Sequence, residues 1–138
     1  MIIGIGTDII EIERIKKAIS KESFIKKYFT ENEIKQFEKI NFSPQTIAGV
    51  FSAKEAVSKS MGTGFSGFAP IDIEILKNEK CKPFVNLYNN AKLICDEKQI
   101  SIIHISITHC KEYAQSFAVA EGGIWFESCN FPRNEIYW

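Results

Sequence analysis

Asp8 has the residue type and the position of a ligand for a hard cation. It follows Gly4-Ile5-Gly6-Thr7 at the predicted end of a first strand. Glycine inside a strand often marks the close approach of a backbone or a ligand. A carboxylate beside such a backbone suits magnesium, but an aspartate there can also cap the next turn or helix. Both interpretations of Asp8 stay open at this point.

Glu55 and Lys59 lie four residues apart in a predicted long helix, residues 45–61. Their side chains therefore share one helix face. Exposed pairs of this kind contribute only about 0.3–0.5 kcal/mol to stability. Small residues such as Ala48 and Ser52 flank the pair and would allow another group to approach the helix closely. The alternative to a surface pair is half of a phosphoryl-transfer site, with a carboxylate for a metal and an ammonium for a phosphate.

The loop after this helix and a late histidine are weaker candidates. Gly62 and Gly64 lack the spacing of a Walker motif, so the loop either forms an anion-binding nest of backbone N–H groups or simply ends the helix. His109 stands next to a cysteine at a predicted strand end, where neighbouring side chains point to opposite sides. A phosphate contact is therefore a better interpretation than a Cys/His dyad. Lys54 and Lys111 would add positive charge, although nothing local distinguishes them.

The elements that must position these residues follow from hydrophobic periodicity and turn signals. Thr30 and Glu33 have the spacing of a capping box and predict a helix that runs toward residue 40. The turn at 78–83 predicts a hairpin. The order of elements predicts an α+β fold with a mostly antiparallel sheet packed against the long helix. The predicted strands are 2–9, 71–75, 84–88, 102–108 and 113–121, and the helices begin after residue 20, at 30, at 45 and at 90.

Length and composition indicate one ordinary globular domain. The chain has 138 residues, of which 45% are hydrophobic and 25% charged, and its apolar runs are too short to span a bilayer. The N-terminus resembles a strand rather than a secretory signal, which predicts a cytoplasmic protein. No two of the four cysteines have CxxC spacing, so free thiols are expected rather than a zinc cluster or disulfides.

Charge and aromatic residues are unevenly distributed. The net charge is zero, yet residues 11–27 contain six basic and three acidic residues. This segment is either a solvated helical face or a docking surface for an acidic partner. Residues 122–138 contain both tryptophans and five of the seventeen aromatic residues without a clear period. We therefore expect a domain at 1–121 and an atypical extension or expression scar at 122–138.

Three segments in this order resemble the holo-acyl-carrier-protein synthases, the small bacterial branch of the phosphopantetheinyl transferases. They are GIGTDIIEIERI at 4–15, FSAKEAVSKSMGTG at 51–64 and ISITHCKEYA at 105–114. Each motif is moderately specific, and the three together are strongly specific. The resemblance covers residues 1–121. It implies the phosphopantetheinyl transferase fold and the transfer of 4′-phosphopantetheine from coenzyme A to a serine of an acyl carrier protein in fatty acid biosynthesis.

The resemblance also implies roles for individual residues. Asp8 and Glu55 would hold Mg²⁺ on the pyrophosphate of coenzyme A, and Lys59 would balance phosphate charge and assist proton transfer. Either Glu55 or a water held by the metal would take the proton of the serine. Further contacts to coenzyme A would come from His109, Gly62 and Gly64, and contacts to the acidic carrier protein from Arg14, Lys17 and Lys21.

The family is typically trimeric, with clefts between subunits. By analogy, His109 would serve a cleft whose Asp8, Glu55 and Lys59 belong to the neighbouring subunit. No nucleic acid or membrane is implied as a partner.

The chain departs from the family pattern at three positions. Val50 stands where an arginine is common, so a phosphate contact would have to come from elsewhere, and Lys54 is the expected substitute. Ile10 stands where larger relatives carry an acidic residue, so a water would fill that metal position. Cys81 occupies a turn position that is often glycine. These departures leave two alternatives to a transferase: a binding or regulatory module for coenzyme A, and a different magnesium-dependent enzyme that acts on nucleotides.

Overall fold

A computed structural model describes residues 1–123 of the chain. It confirms the α+β class and the antiparallel pairing, although the strands form two sheets. Gly122 closes the last strand, and the remainder of the predicted extension, residues 124–138, lies outside the described residues. The elements are β1 (Ile2–Glu11), α1 (Ile12–Ala18), α2 (Glu22–Tyr28), α3 (Glu31–Glu38), α4 (Pro44–Ser60), a 3₁₀ turn (Pro70–Asp72), β2 (Ile73–Lys77), β3 (Pro83–Leu87), α5 (Asn89–Glu97), β4 (Ile100–His109) and β5 (Tyr113–Gly122).

The larger sheet has the strand order β1-β5-β4, and all its pairs are antiparallel. The central strand β5 alternates between buried and exposed residues, as expected for a sheet that is covered on one face. Its buried residues are small, which lets α4 lie directly on the sheet. Ser116 Oγ, for example, donates a hydrogen bond to Gly49 O over 3.2 Å.

Glycine lets β1 pack against the backbone of α4. A Cβ atom at Gly4 would lie 2.1 Å from Ser60 O, and one at Gly6 would lie 2.0 Å from Ala56 O. Both distances are far inside van der Waals contact, so a side chain at either position would push the strand off the helix. The expected close approach is thus to a helix backbone. We call this contact between α4 and β1 the seam.

The predicted capping box and hairpin are confirmed. Thr30 Oγ1 accepts a hydrogen bond from Glu33 N over 3.2 Å, while Thr30 N donates to Glu33 Oε2 over 2.8 Å. Strands β2 and β3 pair antiparallel as a separate two-stranded sheet. Within residues 1–123, no helix is both long and apolar enough to cross a bilayer.

Two predictions about the elements were wrong. The strand expected at 71–75 begins only at Ile73, because Pro70–Asp72 forms a 3₁₀ turn. The alternation of apolar and acidic residues at 71–75 also predicts a strand with one buried and one exposed face, whereas Glu74 is only 2% exposed. Donors from Thr30, Asn32, Asn86 and Tyr88 satisfy its carboxylate. Both faces of the strand are therefore buried at residues 73–75.

Candidate active site

The seam fixes the backbone of Asp8 beside α4. Ser52 is fully buried, and its Oγ donates a hydrogen bond to Asp8 O over 2.9 Å. Helix α1 begins at Ile12, and its N-cap is Glu11, whose side chain makes no capping hydrogen bond. Asp8 therefore caps no helix. Its side chain is 17% exposed and remains accessible at the edge of the seam.

Lys59 reaches across the seam to β1. Its Nζ donates to Asp8 Oδ1 over 3.0 Å and to Thr7 O over 2.9 Å. The side chain of Lys59 is 47% exposed. Within residues 1–123 it forms no ion pair with Glu55, so the interpretation as a pair along the helix surface is wrong. Lys59 instead joins the helix to the strand that carries Asp8.

Glu55 completes an acidic pair with Asp8. It is half-buried, and burial raises the pKa of its carboxyl group; the neighbouring Asp8 raises it further, while Lys59 opposes the shift. Two carboxylates that influence each other electrostatically, with one ammonium beside them, are arranged to bind a cation and a phosphate. We call Asp8, Glu55 and Lys59 the acidic cluster.

The glycine loop begins directly after α4. Gly62 and Gly64 have φ angles of 76° and 55°, a region that glycine adopts without strain. Gly62 N donates to Lys59 O over 2.9 Å, and Gly64 N donates to Ser58 O over 3.1 Å. Because both N–H groups are engaged in ending the helix, they do not form an anion nest. That Gly62 and Gly64 line a coenzyme A cleft stays a prediction.

His109 lies apart from the acidic cluster. It is exposed at the end of β4, whereas Asp8 is on β1, and β5 separates the two strands. Two strand spacings amount to about 10 Å. His109 lines a cavity of about 140 Å³ on the β4 side of α4, together with Val50, Lys77 and Cys81. One chain therefore does not bring His109 together with Asp8 and Glu55.

The prediction that Lys54 contacts a phosphate of coenzyme A is wrong. Lys54 is 1% exposed, and its Nζ donates to Glu33 Oε2 over 2.7 Å, to Tyr28 O over 2.7 Å and to Pro70 O over 3.1 Å. Three acceptors use all three of its protons. Burial lowers the pKa of Lys54 and raises that of Glu33, while their mutual attraction opposes both shifts.

Lys77 is a residue that the sequence analysis missed. It ends β2 and lines the cavity beside His109 as well as an adjoining cavity of about 320 Å³. Val50 borders both cavities too. The sequence does contain a signal for Lys77. The strand predicted at 71–75 continues for two more residues, so that Lys77 ends the strand where the hairpin turn begins. Lys77 thus borders the same cavities as Val50, whereas the ammonium of Lys54 is bonded in the interior.

The basic residues expected to face a partner are exposed. Arg14 and Lys17 belong to α1, and Lys21 precedes α2 as its N-cap. None of the three forms an ion pair within residues 1–123, unlike the pairs Lys16–Glu13 and Lys26–Glu22. Because α1 follows β1 directly, this basic surface begins six residues after Asp8.

The fold and the acidic cluster together define an α+β protein whose sheet edge suits binding of a cation and a phosphate. Residues 4–119 match the model of the 4′-phosphopantetheinyl transferase superfamily. The chain belongs to this family.

Relatives in bacteria support the assignment. The holo-[acyl-carrier-protein] synthase of Clostridium beijerinckii is 51% identical over 122 residues, which cover 88% of this chain and 98% of that protein. The enzyme of the same name from Fusobacterium nucleatum is 48% identical over 120 residues, covering 86% and 98%.

Solved structures agree with the fold. The Plasmodium yoelii acyl carrier protein synthase with ADP bound has a TM-score of 0.81 at 39% identity, over 90% of this chain and 98% of that one. The Helicobacter pylori holo-[acyl-carrier-protein] synthase in complex with coenzyme A has a TM-score of 0.75 at 31% identity, over 85% and 99%.

Proposed function

We propose that this chain is a holo-acyl-carrier-protein synthase, which transfers 4′-phosphopantetheine from coenzyme A to a serine of apo acyl carrier protein. The observation that carries the proposal is the acidic cluster at the seam of a chain that belongs to this transferase family. The carrier protein of fatty acid biosynthesis is the substrate we assign, and the cytoplasm is the compartment. The products are holo acyl carrier protein and 3′,5′-ADP.

The acidic cluster fits Mg²⁺. Asp8 and Glu55 provide the hard oxygen donors that this ion prefers, and the ammonium of Lys59 already occupies a cationic position against Asp8 Oδ1. Within residues 1–123, no cluster of three or more acidic, histidine or cysteine side chains could hold a metal. Two carboxylates are nevertheless a usual protein share for Mg²⁺ when phosphate oxygens and waters supply the rest.

In the proposed reaction, the carrier serine attacks the β-phosphorus of coenzyme A. The new serine O–P bond forms while the bond to the bridging oxygen breaks, and 3′,5′-ADP leaves with the electron pair. When bound, Mg²⁺ would supply stabilisation of the charge that builds up on the pyrophosphate. Lys59 would place its ammonium against the phosphate. Glu55 would accept the serine proton at its carboxylate.

The exposed face of the larger sheet supports a homotrimer. Ile5 and Ile9 are each 62% exposed and Phe117 is 45% exposed on the sheet face away from α4, which is unusual for large apolar side chains in adjacent strands. We assign this face to two further copies of the chain. In such a ring, a β1 edge with its acidic cluster would meet the β4 edge of a neighbour, with its His109.

Co-refolding tests the shared site. His109→Ala alone should be weak, and Glu55→Gln alone should be inactive. A mixed trimer of the two variants can build a cleft with wild-type residues from both sides, so activity should reappear after the variants are unfolded and refolded together. Mixtures that never exceed the separately refolded variants would contradict the shared site.

Intact mass spectrometry tests the proposed function. Apo carrier protein should gain one phosphopantetheine after incubation with the protein, coenzyme A and Mg²⁺, and should gain nothing when coenzyme A or Mg²⁺ is omitted. Binding of coenzyme A without a mass gain would indicate a binding module. Turnover of nucleotides without modification of the carrier protein would indicate a different magnesium-dependent enzyme.

A further inference from the structure

The ammonium of Lys59 pairs with the carboxylate of Asp8 inside the acidic cluster. It donates to Asp8 Oδ1 over 3.0 Å and to Thr7 O over 2.9 Å. Within residues 1–123, Asp8 has Lys59 as its only ion-pair partner, and Glu55 has none. Lys59 is therefore the cation that offsets one of the two carboxylate charges in the free protein.

This arrangement conflicts with the two roles that the proposed function gives to Lys59 and Asp8. The ammonium bonded to Asp8 Oδ1 leaves Oδ2 as the carboxylate oxygen open to a divalent cation. A divalent cation bound there would lie close to the ammonium and repel it. While Lys59 donates to Asp8 and Thr7, it also has only one proton left for a phosphate. Both roles are therefore favoured when Lys59 leaves Asp8 as the metal binds, because the repulsion is relieved and all three of its protons become available.

Lys59 is built to move. Its side chain is 47% exposed, and a lysine has a flexible four-carbon stem with no fixed donor geometry. An exposed ion pair of this kind is weak, so breaking it costs little. Lys54, on the same helix, has its three donors bonded in the interior and cannot serve this purpose.

We propose that Lys59 is an exchangeable counter-ion: a divalent cation displaces its ammonium from Asp8, and the freed ammonium binds the phosphate of the substrate. The inference rests on the proposed function. Through this exchange, metal binding and phosphate binding strengthen each other, because each favours the position of Lys59 away from Asp8. In the free protein the pairing with Asp8 limits metal binding until the substrate is present.

Binding of Mn²⁺ alone tests the exchange, measured by the electron paramagnetic resonance signal of free Mn²⁺. Lys59→Met removes the competing cation, so its affinity for Mn²⁺ should rise by roughly two- to fivefold over the wild type, which is the fold-change that an exposed ion pair supplies. Lys92→Met removes an exposed lysine of α5 and should leave the affinity unchanged. An Lys59→Met protein that binds Mn²⁺ no more tightly than the wild type overturns the exchange.

Asp8→Asn separates failure of the exchange from failure of the proposed metal site. If Asp8→Asn weakens Mn²⁺ binding and Lys59→Met does not tighten it, only the exchange is wrong. If Asp8→Asn binds Mn²⁺ like the wild type, the metal site and the exchange both fall.

Amine labelling observes the movement of Lys59 directly. Trace acetylation followed by peptide mass spectrometry should show Lys59 reacting several-fold faster when saturating Mg²⁺ is added, since its ammonium then leaves Asp8. The reactivity of Lys92 should not change and serves as the internal control. An unchanged rate at Lys59 in saturating Mg²⁺ would overturn the proposal.

Discussion

Two lysines of α4, five residues apart, have opposite surroundings. Lys54 is enclosed by α2, α3 and the 3₁₀ turn, where its ammonium bonds to Glu33, Tyr28 and Pro70. Within residues 1–123, the ammonium of Lys59 bonds only to β1, and its side chain is partly exposed to water. The role of a charged residue on this helix is therefore decided by the elements that cover it. Lys54 ties the layers of the fold together, whereas Lys59 remains available for chemistry.

The acidic partners of the two lysines follow the same division. Glu33 is fully buried and accepts hydrogen bonds from Ile75 N and Thr30 N in addition to Lys54. Both oxygens of the buried carboxylate are thus hydrogen-bonded. Glu55 is half-buried beside a second carboxylate, and that environment raises its pKa. The interior pair is satisfied, whereas the pair of carboxylates at the seam is open to a ligand.

Stability should separate the two lysines most strongly. Lys54→Met leaves Glu33 as an uncompensated buried charge and should lower the free energy of unfolding by about 3–5 kcal/mol. Lys59→Met breaks an exposed pair and should change it by about 1 kcal/mol or less. Urea denaturation of both variants measures the difference. Equal losses of stability would show that Lys54 and Lys59 do not differ in their contribution to the fold.

Activity should separate them in the opposite sense. Lys59→Met should lower kcat/KM for transfer by about 10²–10³, the usual cost of losing one preorganised group that stabilises charge in the transition state. Lys54→Met should lose activity only in proportion to the fraction of its molecules that is unfolded. Initial rates at a temperature where circular dichroism shows both variants folded provide the measurement. A folded Lys54→Met protein as inactive as Lys59→Met would contradict the division of roles.

Glu55→Gln should stabilise the protein at neutral pH although it abolishes transfer. The folded state raises the pKa of Glu55, chiefly through burial. Stability from this group is therefore fully present below its unfolded pKa and is lost as pH rises through the folded pKa. Glu55→Gln does not ionise, so it does not lose this stability. Its melting temperature should therefore exceed that of the wild type as pH rises and should equal it in acid. Melting curves across this pH range measure it, and an advantage confined to acid would refute the assignment.

The basic surface should show a smaller effect, confined to the carrier protein. Arg14→Glu should raise KM for the carrier protein by roughly tenfold, because rim charges act mainly on association, and should leave KM for coenzyme A unchanged. It should also weaken the salt dependence of the carrier KM. Lys92→Glu on α5 makes the same charge change elsewhere and serves as the control. Equal effects of Arg14→Glu and Lys92→Glu on this KM would show that the basic segment is not part of the docking surface.

The sequence was most informative where the determinants are local. The capping box at Thr30 and Glu33 depends on residues three positions apart, and α4 depends on periodicity over four turns. The close approach at Gly4 and Gly6 was predictable because glycine weakens a strand and is typically found there where a backbone or a ligand comes near. These local signals were sufficient to locate β1, α4 and the residues of the acidic cluster.

The surroundings of Lys54 could not be predicted in the same way. Its acceptors Tyr28 and Pro70 lie 26 and 16 residues away in sequence, and no local pattern at 51–59 distinguishes Lys54 from Lys59. The burial of Glu74 was unpredictable for the same reason, since it depends on donors 12 to 44 residues away. Burial of a charge depends on long-range partners, so it becomes visible only in the fold.

The most direct test of where the chemistry occurs compares the two glutamates in one assay. Glu33→Gln and Glu55→Gln make the same chemical change, one in the interior pair and one in the acidic cluster. Each folded protein is incubated with apo carrier protein, coenzyme A and Mg²⁺, and the intact mass of the carrier protein is followed over time. We predict that Glu33→Gln adds phosphopantetheine and that Glu55→Gln does not. Modification by Glu55→Gln at the wild-type rate would contradict the acidic cluster as the catalytic centre.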